Sequence, residues 1–564
     1  MLQWALILLP LLVGGAYLFI FYQVDSLLRA EIERQFSARY PDLDLRLRSA
    51  VWTSGEGIHL KGIRIRDPRL DAQAGDICEI EELFIGFSAT LEQLWRGDVA
   101  VETVRVRRPR IRAVQVDATS WNFASLLPLP QFSRNPPPIA IESGTLEILG
   151  LSSSRGGLTL RDIELDIRRV PADNRSESPS GRRMRQLSGT CTGDFLRRAH
   201  INGTIDPHAL QMNLDGTVDS LEVSPAFWAA LPQRISERPP LLANLRAQAA
   251  FGFRVSYDPA ASPPLRFDLA GRLLQGRWDA PLAAHPFTDI AGRFRITDQS
   301  VRLDEVLAVS GGTQIQIREA EARYGETLEP LLLDATVTNL EVEPGLKPLL
   351  PAAVQRQWSK IFPAGLVNLQ TRLEWVAARP RGFIRMDLLD ASFAYAEFPY
   401  RLQKAQGYLR LDLSEERLDV NLTARADNQP VEIRGHVLNP LGVSQARLSV
   451  TGRGIPLTER LFSAVLNPAT QDLLRALHAA GKIDVWVGIG QEVPGGKPRT
   501  QIQIDLRQCS LKFAGFPFAI SDIAGRIIKR GDVWEFQDLT GTHGSSQIQA
   551  HGDLIRDERG SVFS

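Results

Sequence analysis

The sequence predicts a mainly β chain, built as an extended repeat array with short helices and preceded by an N-terminal transmembrane helix. Three observations predict it: two segments that echo each other at a fixed spacing, long stretches that alternate apolar and polar residues, and a charge-free apolar run at the N-terminus.

That run, LQWALILLPLLVGGAYLFIFY from Leu2 to Tyr22, holds one amide, Gln3, and no charge. At about 1.5 Å per residue it matches a bilayer core of about 30 Å. A cleaved signal peptide is the competing reading, with Gly14 and Ala16 as small residues near a cut. No basic stretch precedes the run, however, and it continues apolar through Phe21, so residues 1–22 read as an uncleaved anchor. Arg29 and Arg34 follow it and no Lys or Arg precedes it, which by charge alone favours a cytoplasmic body. Next, Val24, Leu27, Leu28, Ile32 and Phe36 recur at helical spacing and predict a helix leaving the membrane.

From Leu43 the period changes to two. LDLRLR, GIHLKGIRIRD, EIEELFIGF and VETVRVRRPRIRAVQV read as strands of a module over 23–140, continued by further strands over 141–222. The later strands repeat the pattern: Ile315 and Ile317; Leu409, Leu411 and Leu413; Leu418, Val420 and Leu422; Val431 and Ile433; Ile483, Val485 and Val487; Ile502, Ile504 and Leu506. Between them stand polar residues such as Arg410, Asp419, Asp484 and Gln503, so one face of the sheet is apolar and the other polar.

The echo joins FPYRLQKAQGYLRL to FPFAISDIAGRIIK: Pro399 to Pro517 and Gly407 to Gly525 are both 118 residues apart. A looser copy, HPFTDIAGRFRI, carries Pro286, Phe287 and Gly292, although Glu319 stands near where the later copies have Gly435 and Gly552. Upstream of the two close copies, Pro351 and Pro468 open helical runs that the sequence ends at Gly365 and Gly481. The units read as 223–345, 346–455 and 456–564, the last cut short in RDERGSVFS, as in a fragment or a route that a partner completes. The best candidate for a loose surface excursion is PADNRSESPSGRR, Pro171 to Arg183.

Lysine plus arginine equals aspartate plus glutamate at 65 each, which argues against a nucleic-acid partner. Cys78, Cys191 and Cys509 lie far apart and read as core residues rather than disulfides or zinc ligands. GIGQEVPGGK, Gly488 to Lys497, lacks the spacing of a phosphate loop and reads as a hairpin turn. His543 and His551 lack cysteine neighbours or a HExxH frame, so no metal is expected there. Pairs such as Glu81-Glu82 read as solvated faces. No cofactor and no enzyme activity is therefore expected. The basic strand with Arg105, Arg107, Arg110 and Arg112 is a candidate for anionic headgroups, its alternative being a polar face paired with acidic neighbours.

A sheet apolar on one side must hide that side from water. Periodicity leaves two solutions open: a sandwich sealed by a second layer, or a trough holding an apolar guest, for which acyl chains are the natural choice beside a membrane.

The chain resembles the AsmA-like family, relatives of TamB and of the repeating β-groove lipid-transfer proteins. The resemblance is carried by the anchor followed by an amphipathic helix, by GIHLKGIRIRDP, by EIEELFIGFSATLEQLWRGDVAVETVRVRRPRIRAV, by SWNFASLL at Ser120 to Leu127, and by the proline-aromatic-to-glycine repeats. It implies an elongated, curled antiparallel β-sheet forming a groove. It further implies a single-pass inner-membrane protein with its bulk in the periplasm, carrying phospholipid or another acyl-chain lipid towards the outer membrane and supporting outer-membrane biogenesis. The periplasmic placement overrides the charge count. The sixteen alternating apolar residues named above are then lipid-groove candidates, and outer-membrane or periplasmic proteins are candidate partners. The rival reading is an anchored scaffold that assists assembly of outer-membrane proteins by strand addition.

Overall fold

The computed structural model describes residues 25–53, 55–88, 101–116, 121–126, 137–150, 157–169, 184–206, 211–231, 244–280, 285–325, 328–377, 379–515, 518–531, 533–557 and 560–564. The expected span at 1–22, the LEQLWRG segment and the Pro171 to Arg183 excursion lie outside them. No helix among the described residues is long and apolar enough to cross a membrane. The chain is mainly β and divides into two compact units: Met1–Asp279 with Asp289–Val301, and Ala280–Thr288 with Arg302–Ser564.

In the first unit, the helix over 25–39 covers the start of the sheet. Leu28 is buried against Leu45, Leu47, Ala50, Ile58, Leu60 and Ile63, the apolar half of the alternation in the first strands. Glu33 accepts from the backbone N–H of Leu47 and ties the helix to the same edge. Strands Asp44–Arg46 and Ser49–Thr53 pair with successive halves of Gly57–Arg66, which in turn pairs with Asp76–Gly86.

One ladder departs from the antiparallel pattern that the sequence led us to expect. Thr103–Val114 and Ile139–Leu149 run parallel, with Val104 opposite Ile139 and Val114 opposite Leu149. Neighbouring parallel strands cannot be joined by a tight hairpin and need a crossover of a dozen or more residues. The SWNFASLL element belongs to that crossover. Its Asn122, 3% exposed, accepts from Val114 N–H through Oδ1 and donates through Nδ2 to the carbonyls of Ala74 and Arg112. A residue whose side chain satisfies three buried backbone groups fixes where the crossing segment lies.

Along the chain a cycle of six strands recurs, with helix inserted after the fourth. It runs from Leu158–Arg169 to Leu265–Trp278 around the helix Pro225–Ala230, then from Phe287–Thr297 to Arg379–Tyr395 around Ala352–Ile361, then from Phe398–Asp412 to Arg499–Lys512 around Glu459–Ser463 and Pro468–Ala476. A fourth cycle opens at Ala519–Arg530. The opening strand of each cycle carries a residue in the left-handed region: Asp162 at φ 48°, Asp289 at 54°, Lys404 at 50° and Asp522 at 50°. In the last three, a glycine follows three residues later, at Gly292, Gly407 and Gly525. The extra residue of such a bulge bends the strand and increases its twist, and the sheet of each unit is open and curled.

The helix stops differ from the sequence reading. Phe362 at φ 46° and His478 at φ 42°, not Gly365 and Gly481, take the left-handed turn past the helices. Gly365 and Gly481 open the next strands instead, where a Cβ would stand 2.2 Å from the Asp390 carbonyl oxygen and 2.7 Å from Cys509 Cα respectively. Close backbone approach, rather than helix termination, selects glycine there. The GIGQEVPGGK segment is a hairpin between Ala480–Gly490 and Arg499–Lys512.

Candidate functional site

In the second unit the alternating residues line up from strand to strand. Antiparallel pairing places successive partners on one face, so a row can be followed across the sheet. One row passes from Ile315 through Val337, Leu369, Met386, Leu409, Val420, Gly435 and Leu448 to Ile489. A second joins Ile317, Ala335, Thr371, Ile384, Leu411, Leu418 and Val437. The third runs from Leu340 through Val367, Leu388, Gly407, Leu422, Ile433, Val450, Val487 and Ile502, then Lys529, Trp534, Leu554 and Phe563. Val431, Val485 and Ile504 belong to a fourth, and Ile483 faces Leu506 beside it.

Fifteen of the sixteen sequence candidates thus share one face; Leu413 falls in the turn after Phe398–Asp412 and donates its N–H to the Gly382 carbonyl. The sequence candidates omitted Val337, Leu369, Met386 and Lys529. The first three follow from continuing the alternation through Leu328–Val342, Ala364–Val376 and Arg379–Tyr395. Lys529 lies beyond the Ile527-Ile528 doublet, which hides the period.

Burial on this face is graded. Towards the strand ends that carry the helices, Ala405, Leu422, Ala424, Val431, Ile455 and Ile483 are buried, and Phe462 of Glu459–Ser463 is buried beside them. Towards the opposite ends, where the turns after Asp412, Leu438 and Gly490 lie, Leu409, Leu411, Leu418, Val420, Val437, Ile489 and Ile502 are only half-buried. The helices therefore cover one margin of the apolar face, and the other margin stays partly open to solvent.

The covered margin is clasped by polar groups. Arg460 Nη1 and the Tyr400 hydroxyl both donate to the Asp427 carboxylate, at 2.6 Å and 2.7 Å, and the Arg460 guanidinium lies over the Tyr400 ring. Burial, then the hydrogen bond to Asp427, pushes the Tyr400 phenol up to about 12.

The four headgroup candidates sit on the polar face of the first unit. Arg105 and Arg107 pair with Glu142, Arg107 also reaches Glu82, and Arg110 and Arg112 share Glu147. Arg108 at φ 47°, matched on the next strand by Ser143 at φ 53°, resets the alternation between Arg107 and Arg110 without any register shift, so the spacing of the four changes there from two to three. Burial raises the Glu147 pKa, but hydrogen bonds from Arg112 and Arg110 outweigh it and hold the carboxyl below its ordinary value. Two open clefts on this face share Arg108 and Arg110, one of ≈ 460 Å³ reaching Ser143, Thr159 and Arg161. These cations are matched by carboxylates from neighbouring strands, so the patch is a mixed ion ladder.

Cys191 and Cys509 are buried and Cys78 is half-buried; burial, with Glu79 beside it, pushes the Cys78 thiol up to about 11. His543 stacks on Phe518 with ring centroids 3.7 Å apart, and no cluster of metal-ligating side chains occurs among the described residues. The fold and this face define a repeat protein built on a sheet that is apolar on one side. No family model matches the chain, and no curated protein matches its sequence.

Proposed function

We propose that the protein is a membrane-anchored lipid conduit, in which acyl chains lie on the apolar face and the polar face keeps the sheet in water. The observation that carries the reading is the set of apolar cross-strand rows, partly exposed along one margin while helices cover the other. An open apolar face of this extent needs a guest, and each CH₂ removed from water contributes roughly 0.8 kcal/mol. The charge-free run at Leu2 to Tyr22 and the resemblance to the AsmA-like family support phospholipid as the guest. They also support an inner-membrane anchor, a periplasmic body, transfer towards the outer membrane, and a carrier role without catalysis.

Extraction of the full chain in a mild detergent followed by lipid mass spectrometry tests this. Several phospholipids per chain are expected. A lipid-free protein that instead retains outer-membrane barrel proteins would replace the conduit with the strand-addition scaffold.

A further inference from the structure

The row from Leu340 to Phe563 contains one charged residue, Lys529, and neither neighbouring row contains any. Its cross-strand partners are Ile502 and Trp534, and Ile527 precedes it on the same face. The side chain is half-buried, and its Nζ lies 5.4 Å from the Trp534 ring centroid. The adjacent Arg530 and Glu535 pair with each other on the polar side of the strand, leaving Lys529 no carboxylate among the described residues. A cation set among apolar side chains is costly unless an anion meets it, and an aromatic face offsets only part of that cost. Lys529 is also two residues from the Gly531 turn, at the open margin of the face.

We infer that Lys529 and Trp534 form a binding site for the anionic phosphate of a lipid headgroup, with its acyl chains laid along Ile502, Val487 and Val450. Trp534 places the ammonium at the lip, where a phosphate can remain hydrated on one side. Three donors on a point charge suit a phosphate oxygen without demanding a fixed orientation, as a site passed by moving lipid requires. The inference rests on the conduit reading and adds to it a preference for net negative headgroups.

The test uses the full chain in mild detergent, titrated calorimetrically with dihexanoyl phosphatidylglycerol, dihexanoyl phosphatidylcholine and inorganic phosphate. Both lipids present a phosphate to Lys529, but the choline ammonium brings a second cation to the same lip and opposes it, so the anionic lipid should bind roughly tenfold more tightly than the zwitterionic one. Inorganic phosphate should bind far more weakly than either. Lys529→Gln should erase the difference between the lipids, Lys529→Arg should keep it, and thermal unfolding should be the same in both variants. Equal affinity for the two lipids in the unaltered chain, a preference that survives Lys529→Gln, or phosphate binding as tightly as lipid would each overturn the site while leaving the conduit intact. If neither lipid binds, the conduit reading falls and the site with it.

Discussion

The Tyr400 hydroxyl donates to Asp427 across the hairpin end that the helix Glu459–Ser463 covers, and Arg460 of that helix takes the other carboxylate oxygen. Tyr400→Phe should therefore cost about 1 kcal/mol and Asp427→Ala about 1–3 kcal/mol, because the second change strands a buried hydroxyl and an arginine. Equilibrium urea unfolding followed by far-ultraviolet circular dichroism measures both. A double-mutant cycle between Asp427 and Arg460 should return a favourable coupling.

The same phenol makes stability depend on alkaline pH. Its folded pKa is raised from the ordinary 10.0 to about 12, so the folded state holds the proton more tightly than the unfolded chain. The resulting stability is fully present below pH 10 and is lost as pH rises through about 12. Unfolding midpoints measured from pH 9 to 12 should fall for the natural chain and fall less steeply for Tyr400→Phe.

Charges placed at the two margins of the apolar face should behave differently. Leu422→Lys puts an unpaired ammonium at a site 6% exposed and should cost several kcal/mol, enough to unfold its cycle. Leu411→Lys, at the half-buried margin, should leave the far-ultraviolet spectrum unchanged and lower the lipid recovered per chain. Equal loss of structure in both variants would show that the open margin is core.

Gly407 has φ 115°, and a Cβ there would stand 2.2 Å from the Asn421 carbonyl oxygen. Gly407→Ala should destabilise by about 1–3 kcal/mol through strain and the required shift of the ladder. Gly531→Ala is the control: φ is 60° but no atom lies within 4 Å, so only the smaller backbone cost remains. Comparing the two denaturation midpoints separates close approach from conformational preference.

Asn122→Ala removes three hydrogen bonds at once and leaves the Val114 N–H buried. Local opening of the crossover should follow, with a cost of about 1–3 kcal/mol. Hydrogen exchange resolved to peptides should show loss of protection around Val114. Asn122→Asp, which can still accept but not donate, should recover only part of it.

Much of this was legible in the residues. Strict alternation at Leu409 and Leu411, at Leu418 to Leu422, at Ile483 to Val487 and at Ile502 to Leu506 gave both strand and face, since a period of two admits one arrangement of side chains, whereas Leu413 continued the pattern into a turn. The parallel ladder was not legible, because Thr103–Val114 and Ile139–Leu149 alternate just as antiparallel strands do and only their connection differs. The earliest cycle escaped because its glycine sits on the other strand: Leu165 faces Gly189, whereas Gly407 faces Leu422. The remaining signal was the Asp162-Ile163 pair, which matches Asp289-Ile290 and Asp522-Ile523. Lys529 was hidden for another reason, since a lysine near a turn reads as a solvated end until cross-strand register shows what faces it.

The recurrence of a left-handed residue at Asp162, Asp289, Lys404 and Asp522 has a consequence for how such a chain can lengthen or shorten. Excising six strands, from just before one of these positions to just before the next, rejoins ends whose direction, facing and helix placement already agree. Removing a single strand would reverse every later one, and removing two would set the helix after the second strand of a cycle instead of the fourth. Growth by whole cycles is thus the splice that the pleat tolerates, and length can vary while the greasy side keeps facing the same way.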